Sequence, residues 1–194
     1  MRKLLGIVLL AMMCGCGLFE TRTPEEPDTG KINFEPATSP QILVNNLKKS
    51  IEQMSIDNYT SCISDGAALY AFEPSAQAKA LFPAVFEEWN YSAEQRYFTS
   101  LAGVVVQGAT PNLITDNISY DSGSPDSTIY SAHYTLSMPH SKTNIPTMFK
   151  GAMRLTLVQN GEGIWKILRW IDSPTATASD TVKSTWSLLK GYFY

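Results

Sequence analysis

Helical periodicity marks the chain from residue 39 through its first half. One apolar stripe has spacings of four, four and three residues, as the buried face of a helix requires; it consists of Leu43, Leu47, Ile51 and Met54. Ser39 is a candidate N-cap for this helix, and Pro40 would occupy its first position, where a missing N–H costs nothing. The pattern predicts a helix that begins at Pro40 and buries one face.

Shorter helical stretches are predicted after this helix. Asp57 is a candidate cap for a short helix that carries Tyr59 and Cys62. Residues 80–89 have a helical pattern that Pro83 interrupts. Ser92 and Gln95 have the spacing of a capping box for a helix whose apolar residues are Tyr97, Phe98 and Leu101.

Alternation with period two replaces helical periodicity after Pro111. It predicts four strands, at residues 113–120, 128–138, 147–159 and 164–172. Residues 122–126 and the Asn160-Gly161 pair supply turn chemistry, and short links of this kind favour an antiparallel meander. A last helix is predicted after Asp180, with an apolar face formed by Val182, Trp186, Leu189 and Phe193. The fold class is therefore α+β, with N-terminal helices packed on a four-stranded antiparallel sheet and a short C-terminal helix.

The N-terminus has the order of an export signal. Arg2 and Lys3 precede an apolar run at residues 4–13, about half the ~20 residues that a membrane-spanning helix needs. The run closes on Met13-Cys14-Gly15-Cys16, which resembles a lipobox, the recognition site of the lipoprotein signal peptidase. The small Gly15 fits cleavage between Gly15 and Cys16 and lipid attachment to Cys16; Cys14, preceded by the bulky Met13, is the alternative.

This resemblance implies an exported protein held to a membrane of the cell envelope by its N-terminal lipid. Gly17 is not the aspartate that retains such lipoproteins in the inner membrane, so the outer membrane is the expected location. Residues 1–15 are then the signal peptide. Residues 16–38, rich in Thr, Pro and acidic side chains, are predicted to be a disordered tether, and residues 39–194 the folded domain.

Composition and charge restrict the classes of partner. The hydrophobic fraction is 44% and the charged fraction 17%, as in an ordinary soluble domain. The formal net charge of −3 becomes −5 once Arg2 and Lys3 are removed, because 13 basic residues then face 18 acidic ones, and this excludes nucleic acid as an expected partner. Cys62 remains as the single free cysteine, and its place on an apolar helix face predicts a packed, unreactive thiol.

Two segments resemble the NTF2-like, or SnoaL-like, superfamily of cystatin-type α+β domains. Residues 163–170, Gly-Ile-Trp-Lys-Ile-Leu-Arg-Trp, are similar to its final strand, and the helical region at residues 46–59 is similar to its opening segment. The resemblance implies a cone in which helices and a curved sheet enclose a pocket, and pairing of many members through the open sheet face. Members include isomerases, dehydratases, hydrolases and non-catalytic proteins, so the fold leaves the chemistry undecided.

Candidate catalytic residues are few, and none is assigned a catalytic role. Asp57 with Tyr59, Asp116, and Arg169 with Asp172 are the carboxylate groupings considered. Each has a plainer role: a helix cap, a polar strand residue, or a strand end with an ion pair.

The two histidines and the remaining motifs predict no active site either. His133 is predicted to point away from the pocket, and His140 to be exposed to solvent. No His, Cys or carboxylate grouping has metal-ligand spacing, and no phosphate-binding loop or nucleophile elbow occurs. No metal and no cofactor are therefore predicted.

Aromatic side chains are the candidates for binding a ligand or a partner, and core packing is the alternative use for most of them. The candidates are Tyr59, Trp89, Tyr130, Tyr134, Trp165 and Trp170. In the last strand, strict alternation places Trp165, Ile167 and Ile171 on one face and Leu168 and Trp170 on the other. Both faces would then be apolar and need a cover, which the C-terminal segment, a second copy or a partner protein could supply.

Three functions remain open at this point. The first is a lipid-anchored envelope protein whose domain binds a small apolar ligand or a protein partner without catalysis. The second is a SnoaL-like small-molecule enzyme with a carboxylate or tyrosine in the cone. The third is a purely structural envelope component with a filled cone.

Overall fold

A computed structural model describes residues 34–66, 69–175 and 184–194, all within the compact unit Asn33–Tyr194. Five helices are present in these ranges: α1 Pro40–Glu52, α2 Ile56–Ser61, α3 Ala76–Leu81, α4 Tyr91–Ala102 and α5 Trp186–Phe193. None of the helices in the described ranges is long and apolar enough to cross a membrane.

Five strands form one mixed sheet. They are β1 Ala71–Glu73, β2 Asn112–Ser124, β3 Ser127–Ser137, β4 Met148–Gln159 and β5 Trp165–Ser173, in the order β1-β5-β4-β3-β2. The four long strands form the predicted antiparallel meander. The sheet also has an unpredicted fifth strand, because the three-residue β1 adds to the edge in parallel with β5.

Helix starts agree with the sequence at one of three sites. Ser39 caps α1, and its Oγ accepts a hydrogen bond from the Ile42 N–H at 3.3 Å. The predicted Asp57 cap is wrong, because α2 begins at Ile56 and Ser55 occupies the cap position, two residues before Asp57. The predicted Ser92 cap is also wrong, because the Asn90 side chain accepts a hydrogen bond from the Ala93 N–H and places Ser92 inside α4.

Bulges shift the faces of two strands. In β5 the register with β4 skips Leu168, so that Thr156 pairs with Arg169 and Leu157 with Ile167. The extra residue brings Trp165, Ile167 and Trp170 to the same face, and all three are buried. The prediction of two apolar faces is therefore wrong, and the exposed Arg169 lies on the outer face.

The outer face of β2 is interrupted in the same way. Asn117, with a φ of 49°, and Ile118 stand opposite Ala132 alone, between the pairs Asp116–His133 and Ser119–Ser131. The strand then continues through residues 122–124, which the sequence assigned to a turn.

Helix α5 fills the concave side of the sheet. Its Trp186 ring packs edge-on against Trp170 at a centroid distance of 4.6 Å and against Tyr134 at 5.6 Å. Thr185 is the N-cap residue, whereas Asp180 and Val182, predicted as cap and first apolar position, lie outside the described residues. Gly191 lies so close to the Phe82 ring that a Cβ atom would overlap it. The interior that the helices and sheet enclose is therefore occupied by the chain's own last helix.

Candidate functional site

A carboxylate lies at the centre of this interior. Glu94, in the first turns of α4, is fully buried. Its Oε1 accepts a hydrogen bond from the Tyr59 hydroxyl at 2.5 Å, and its Oε2 accepts hydrogen bonds from the Tyr70 hydroxyl at 2.9 Å and the Trp89 Nε1–H at 2.6 Å. Three donors from separate segments thus hold the carboxylate in place.

The counter-charge comes from α5. The fully buried Lys190 ammonium lies 2.6 Å from Oε1 and 2.8 Å from Oε2 of Glu94. Its Nζ is 3.7 Å from the centroid of the Phe72 ring and 4.3 Å from that of the Trp170 ring, with Trp89 and Tyr97 within 5.6 Å. Loss of hydration lowers the pKa of Lys190, and the charge of Glu94 opposes that shift.

Tyr59 and Tyr70 donate hydrogen bonds to Glu94, whereas the hydroxyl of the nearby Tyr97 accepts one from the Trp186 Nε1–H at 3.0 Å. Burial raises the pKa of Tyr59, Tyr70 and Tyr97 well above the ordinary value, and the negative charge of Glu94 raises them further. Each hydroxyl therefore keeps its proton at neutral pH, as the hydrogen bonds that Tyr59 and Tyr70 donate to Glu94 require.

A second buried carboxylate lies on β5. Asp172 Oδ1 accepts a hydrogen bond from the Tyr134 hydroxyl at 2.6 Å, and Oδ2 accepts one from the Ser187 N–H at 2.7 Å and a short one from the Ser187 Oγ–H. Burial raises the pKa of Asp172, while these hydrogen bonds work in the opposite direction. Asp172 thereby fastens the first turn of α5 to the sheet.

The predicted aromatic residues divide between two places. Tyr59, Trp89, Tyr134 and Trp170 converge on the two buried carboxylates and on α5, as the contacts above show. Tyr130 is buried against Tyr120, with ring centroids 5.1 Å apart. Trp165 lines a cleft of about 370 Å³ beside the start of α1, together with Tyr120 and Thr128. Their roles in binding stay predictions.

The predicted carboxylate groupings do not assemble into a site. Asp57 and Asp116 are exposed. Arg169 pairs with the exposed Glu73 at 2.6 Å. It does not meet Asp172, because residues three positions apart in a regular stretch of strand lie on opposite faces of the sheet. Among the described residues no group of three His, Cys, Asp or Glu side chains could hold a metal ion.

One histidine prediction holds and the other does not. His133 is exposed on the outer sheet face, where its Nδ1 shares a hydrogen bond with the Asn117 side chain at 2.9 Å. His140 is buried, not exposed as predicted: its Nε2 lies 3.0 Å from the Pro146 carbonyl oxygen, and its ring packs on Phe193. His140 is buried because Phe193 of α5 covers its ring.

Cys62 has the environment that its helix face predicted. The thiol is buried, its Sγ–H donates to the Asn58 carbonyl oxygen at 3.3 Å, and burial raises the pKa of Cys62 to about 12. Gly15, Cys16 and Cys14 lie outside the described residues.

Sequence reasoning missed the central pair, although the sequence carries a signal for it. Glu94 stands three, four and seven residues before Tyr97, Phe98 and Leu101, and so shares their helix face. Lys190 stands four residues after Trp186 and three before Phe193. A charged residue on each of two apolar stripes indicates a buried ion pair, provided that the two helices meet.

The architecture defines the class of fold. Helices pack against a curved five-stranded mixed sheet, and α5 closes its concave side; the chain therefore has the NTF2-like cone fold. Three solved structures with this fold are similar over most of their length. One is a candidate scytalone dehydratase of Novosphingobium aromaticivorans (TM-score 0.56, 13% identity, 75% of this chain and 87% of that chain).

The second is a candidate aromatic ring hydroxylase of Novosphingobium aromaticivorans (TM-score 0.55, 11% identity, covering 76% and 94%). The third is a candidate dehydratase of the NTF2-like family from Streptomyces avermitilis (TM-score 0.53, 8% identity, covering 73% and 96%). No protein-family model and no curated protein sequence matches the chain. At these identities the likeness concerns the fold and not the activity.

Proposed function

We propose that this chain is an exported, lipid-anchored protein whose NTF2-like domain acts by binding, without catalysis, and that the cone is its binding element. The observation that carries the proposal is the buried Lys190–Glu94 pair in the interior that the helices and the sheet enclose. In this conformation α5 occupies the place of a ligand.

The chemistry of the pair supports binding over simple filling. A buried ion pair contributes little net stability, since well-packed apolar side chains of similar volume are often as good or better by about 1–4 kcal/mol. A helix whose only task was to fill the cone would be served by leucine at position 190. A lysine there matches a site that recognises a cation.

The hydrogen bonds of the two buried carboxylates argue against catalysis while α5 fills the interior. Both oxygens of Glu94 are engaged by four donors, so the carboxylate has no free lone pair directed at a substrate. Asp172 is likewise engaged by Tyr134 and Ser187. A general base must reach the proton that it removes, and neither group can do so while α5 is in place.

Native-state hydrogen exchange on the full chain tests whether the cone can open. We expect backbone amides of α5 to exchange through an opening that costs less free energy than global unfolding, whereas amides of β3 and β4 exchange only on global unfolding. Exchange of α5 with the same free energy as β3 and β4 would mean a permanently filled cone. That result would favour the purely structural function.

Lipid attachment is tested separately. Cells that express the chain are fed a fatty-acid analogue, and labelling of the wild type is compared with Cys16→Ala and, as a matched control, Cys14→Ala. We expect Cys16→Ala to lose the label and Cys14→Ala to retain it. Unchanged labelling of Cys16→Ala would overturn the anchor.

A SnoaL-like enzyme is the second candidate, favoured by the raised pKa of Asp172 beside the Tyr134 hydroxyl. Desolvated carboxylates with tyrosine donors can carry out proton transfer, and two of the similar structures are candidate dehydratases. In such an enzyme α5 would have to withdraw during turnover. A dehydratase activity that Asp172→Asn abolishes, with unchanged folding by circular dichroism, would favour this function over binding.

A further inference from the structure

We propose that the pocket around Glu94 is a recognition site for a primary alkylammonium group, which Lys190 occupies from within and which a free ligand takes when α5 withdraws. This inference rests on the proposed binding function and names the class of ligand. Throughout, the ammonium pocket means Glu94 with Tyr59, Tyr70, Trp89, Phe72 and Trp170.

None of the residues that form the ammonium pocket belongs to α5. Glu94 comes from α4, its hydrogen-bond donors come from α2 and from the segments before β1 and α4, and the flanking rings come from β1 and β5. Three neutral donors therefore keep the carboxylate oriented whether or not Lys190 is present. A site that is organised before its ligand arrives loses little free energy to reorganisation on binding.

The ring arrangement selects a cation. The Nζ lies 3.7 Å from the Phe72 centroid and 4.3 Å from the Trp170 centroid, within the range in which a cation is attracted to an aromatic face. The carboxylate and the two rings together offset the hydration free energy that an ammonium group loses when it is buried. A neutral ligand of the same shape would lack the electrostatic attraction to the carboxylate and to both rings.

The hydrogen bonds exclude a cation without N–H groups, and the Phe72 and Trp170 rings beside Nζ disfavour a second substituent on the nitrogen, so a primary ammonium fits best. The Nζ donates to both oxygens of Glu94, at 2.6 and 2.8 Å, and therefore needs at least two N–H groups directed at the carboxylate. A quaternary ammonium has no N–H and cannot approach so closely. The lysine stem, four methylene groups in line, shows that an unbranched alkyl chain fits behind the charged end.

Chemical rescue tests the ligand class directly. In Lys190→Ala the deleted atoms are those of n-propylammonium. We expect n-propylammonium chloride to raise the melting temperature of full-chain Lys190→Ala by about 5 °C, in a saturable manner that follows mass action. If the variant does not fold alone, recovery of its native circular dichroism on addition of n-propylammonium is the readout.

Matched controls separate recognition from salt and solvent effects. Tetramethylammonium chloride and 1-propanol should give less than a fifth of the shift, and Lys79→Ala, which removes an exposed lysine, should not respond to n-propylammonium. Equal responses to the three compounds, or absence of a saturable response, would overturn the ammonium pocket. If n-propylammonium fails to rescue the variant but α5 still opens in hydrogen exchange, the proposed ligand class is wrong. The proposed binding function is not contradicted by that result.

In the wild type, a free ligand must compete with Lys190. Because n-propylammonium would bind only the open state, it should accelerate exchange of the α5 amides at least twofold relative to 1-propanol at equal concentration. Identical exchange in both solutions would contradict competition at this pocket.

Discussion

Lys190 and Glu94 place opposite charges inside a packed aromatic interior, so each depends on the other for compensation. Lys190→Ala leaves the carboxylate with its three neutral donors but without a counter-charge. Removing one partner of a buried pair costs about 3–5 kcal/mol, and we expect a loss of this size in the free energy of unfolding measured with urea. Lys79→Ala, at an exposed site, should change it by less than about 0.5 kcal/mol.

The double variant Glu94→Gln/Lys190→Met separates charge from packing. It removes both charges and keeps most of the volume, so it should recover more than half of the loss caused by Lys190→Ala. A double variant as unstable as Lys190→Ala would show that the loss comes from packing.

Asp172 is a second single residue with a measurable effect, because its buried carboxyl makes the stability of the domain depend on pH. Because burial raises its folded pKa above the unfolded value, the folded state binds a proton at higher pH than the unfolded chain does. The ionised form therefore costs stability at neutral pH, and this cost is relieved as the pH falls through the folded pKa toward about 3.9. We expect the stability of the wild type relative to Asp172→Asn to increase when urea unfolding is measured at pH 5 and 4 instead of 7.

Asp57→Asn is the control for that experiment, since it removes an exposed carboxyl and changes the net charge equally. A relative stability of wild type and Asp172→Asn that is independent of pH would contradict the raised pKa.

At the scale of the element, helix α4 begins at a different cap residue from the one that the sequence pattern predicted. Asn90 caps the helix through its side chain, 3.1 Å from the Ala93 N–H, whereas the capping-box spacing pointed to Ser92. Asn90→Ala should lower the free energy of unfolding by about 1 kcal/mol, and Ser92→Ala by less than half of that. The reverse order in denaturant unfolding would restore Ser92 as the cap.

Strand β5 shows why alternation alone assigned the wrong faces. Its residues are apolar at positions that a strict period of two divides between both sides, so the sequence allowed two uncovered faces. One extra residue at Leu168 returns Trp170 to the side of Trp165. A bulge of this kind depends on pairing with the partner strand, so the local sequence of β5 does not predict it.

For the whole molecule, the buried tyrosines predict a cooperative alkaline transition. The pKa values of Tyr59, Tyr70, Tyr97 and Tyr134 are raised well above 10 by burial. The unfolded chain releases these protons near pH 10 while the folded domain retains them, so stability present below pH 10 is lost as the pH rises further. The absorbance of these tyrosinates at 295 nm should therefore appear together with the loss of far-ultraviolet circular dichroism. Their ionisation in a domain with intact circular dichroism would contradict the burial of these four hydroxyls.

The sequence by itself determined the α+β class, the four long strands to within a few residues, the first helix with its Ser39 cap, and the packed state of Cys62. These features depend on local periodicity and cap chemistry, which act over a few residues. Tertiary structure decided the rest: the added strand β1, the faces of β5, the burial of His140, and the meeting of Glu94 with Lys190 across 96 positions of the chain. The pairing of Glu94 with Lys190 depends on how α4 and α5 pack against one curved sheet. That packing is set by many long-range contacts together, which no local stretch of sequence contains.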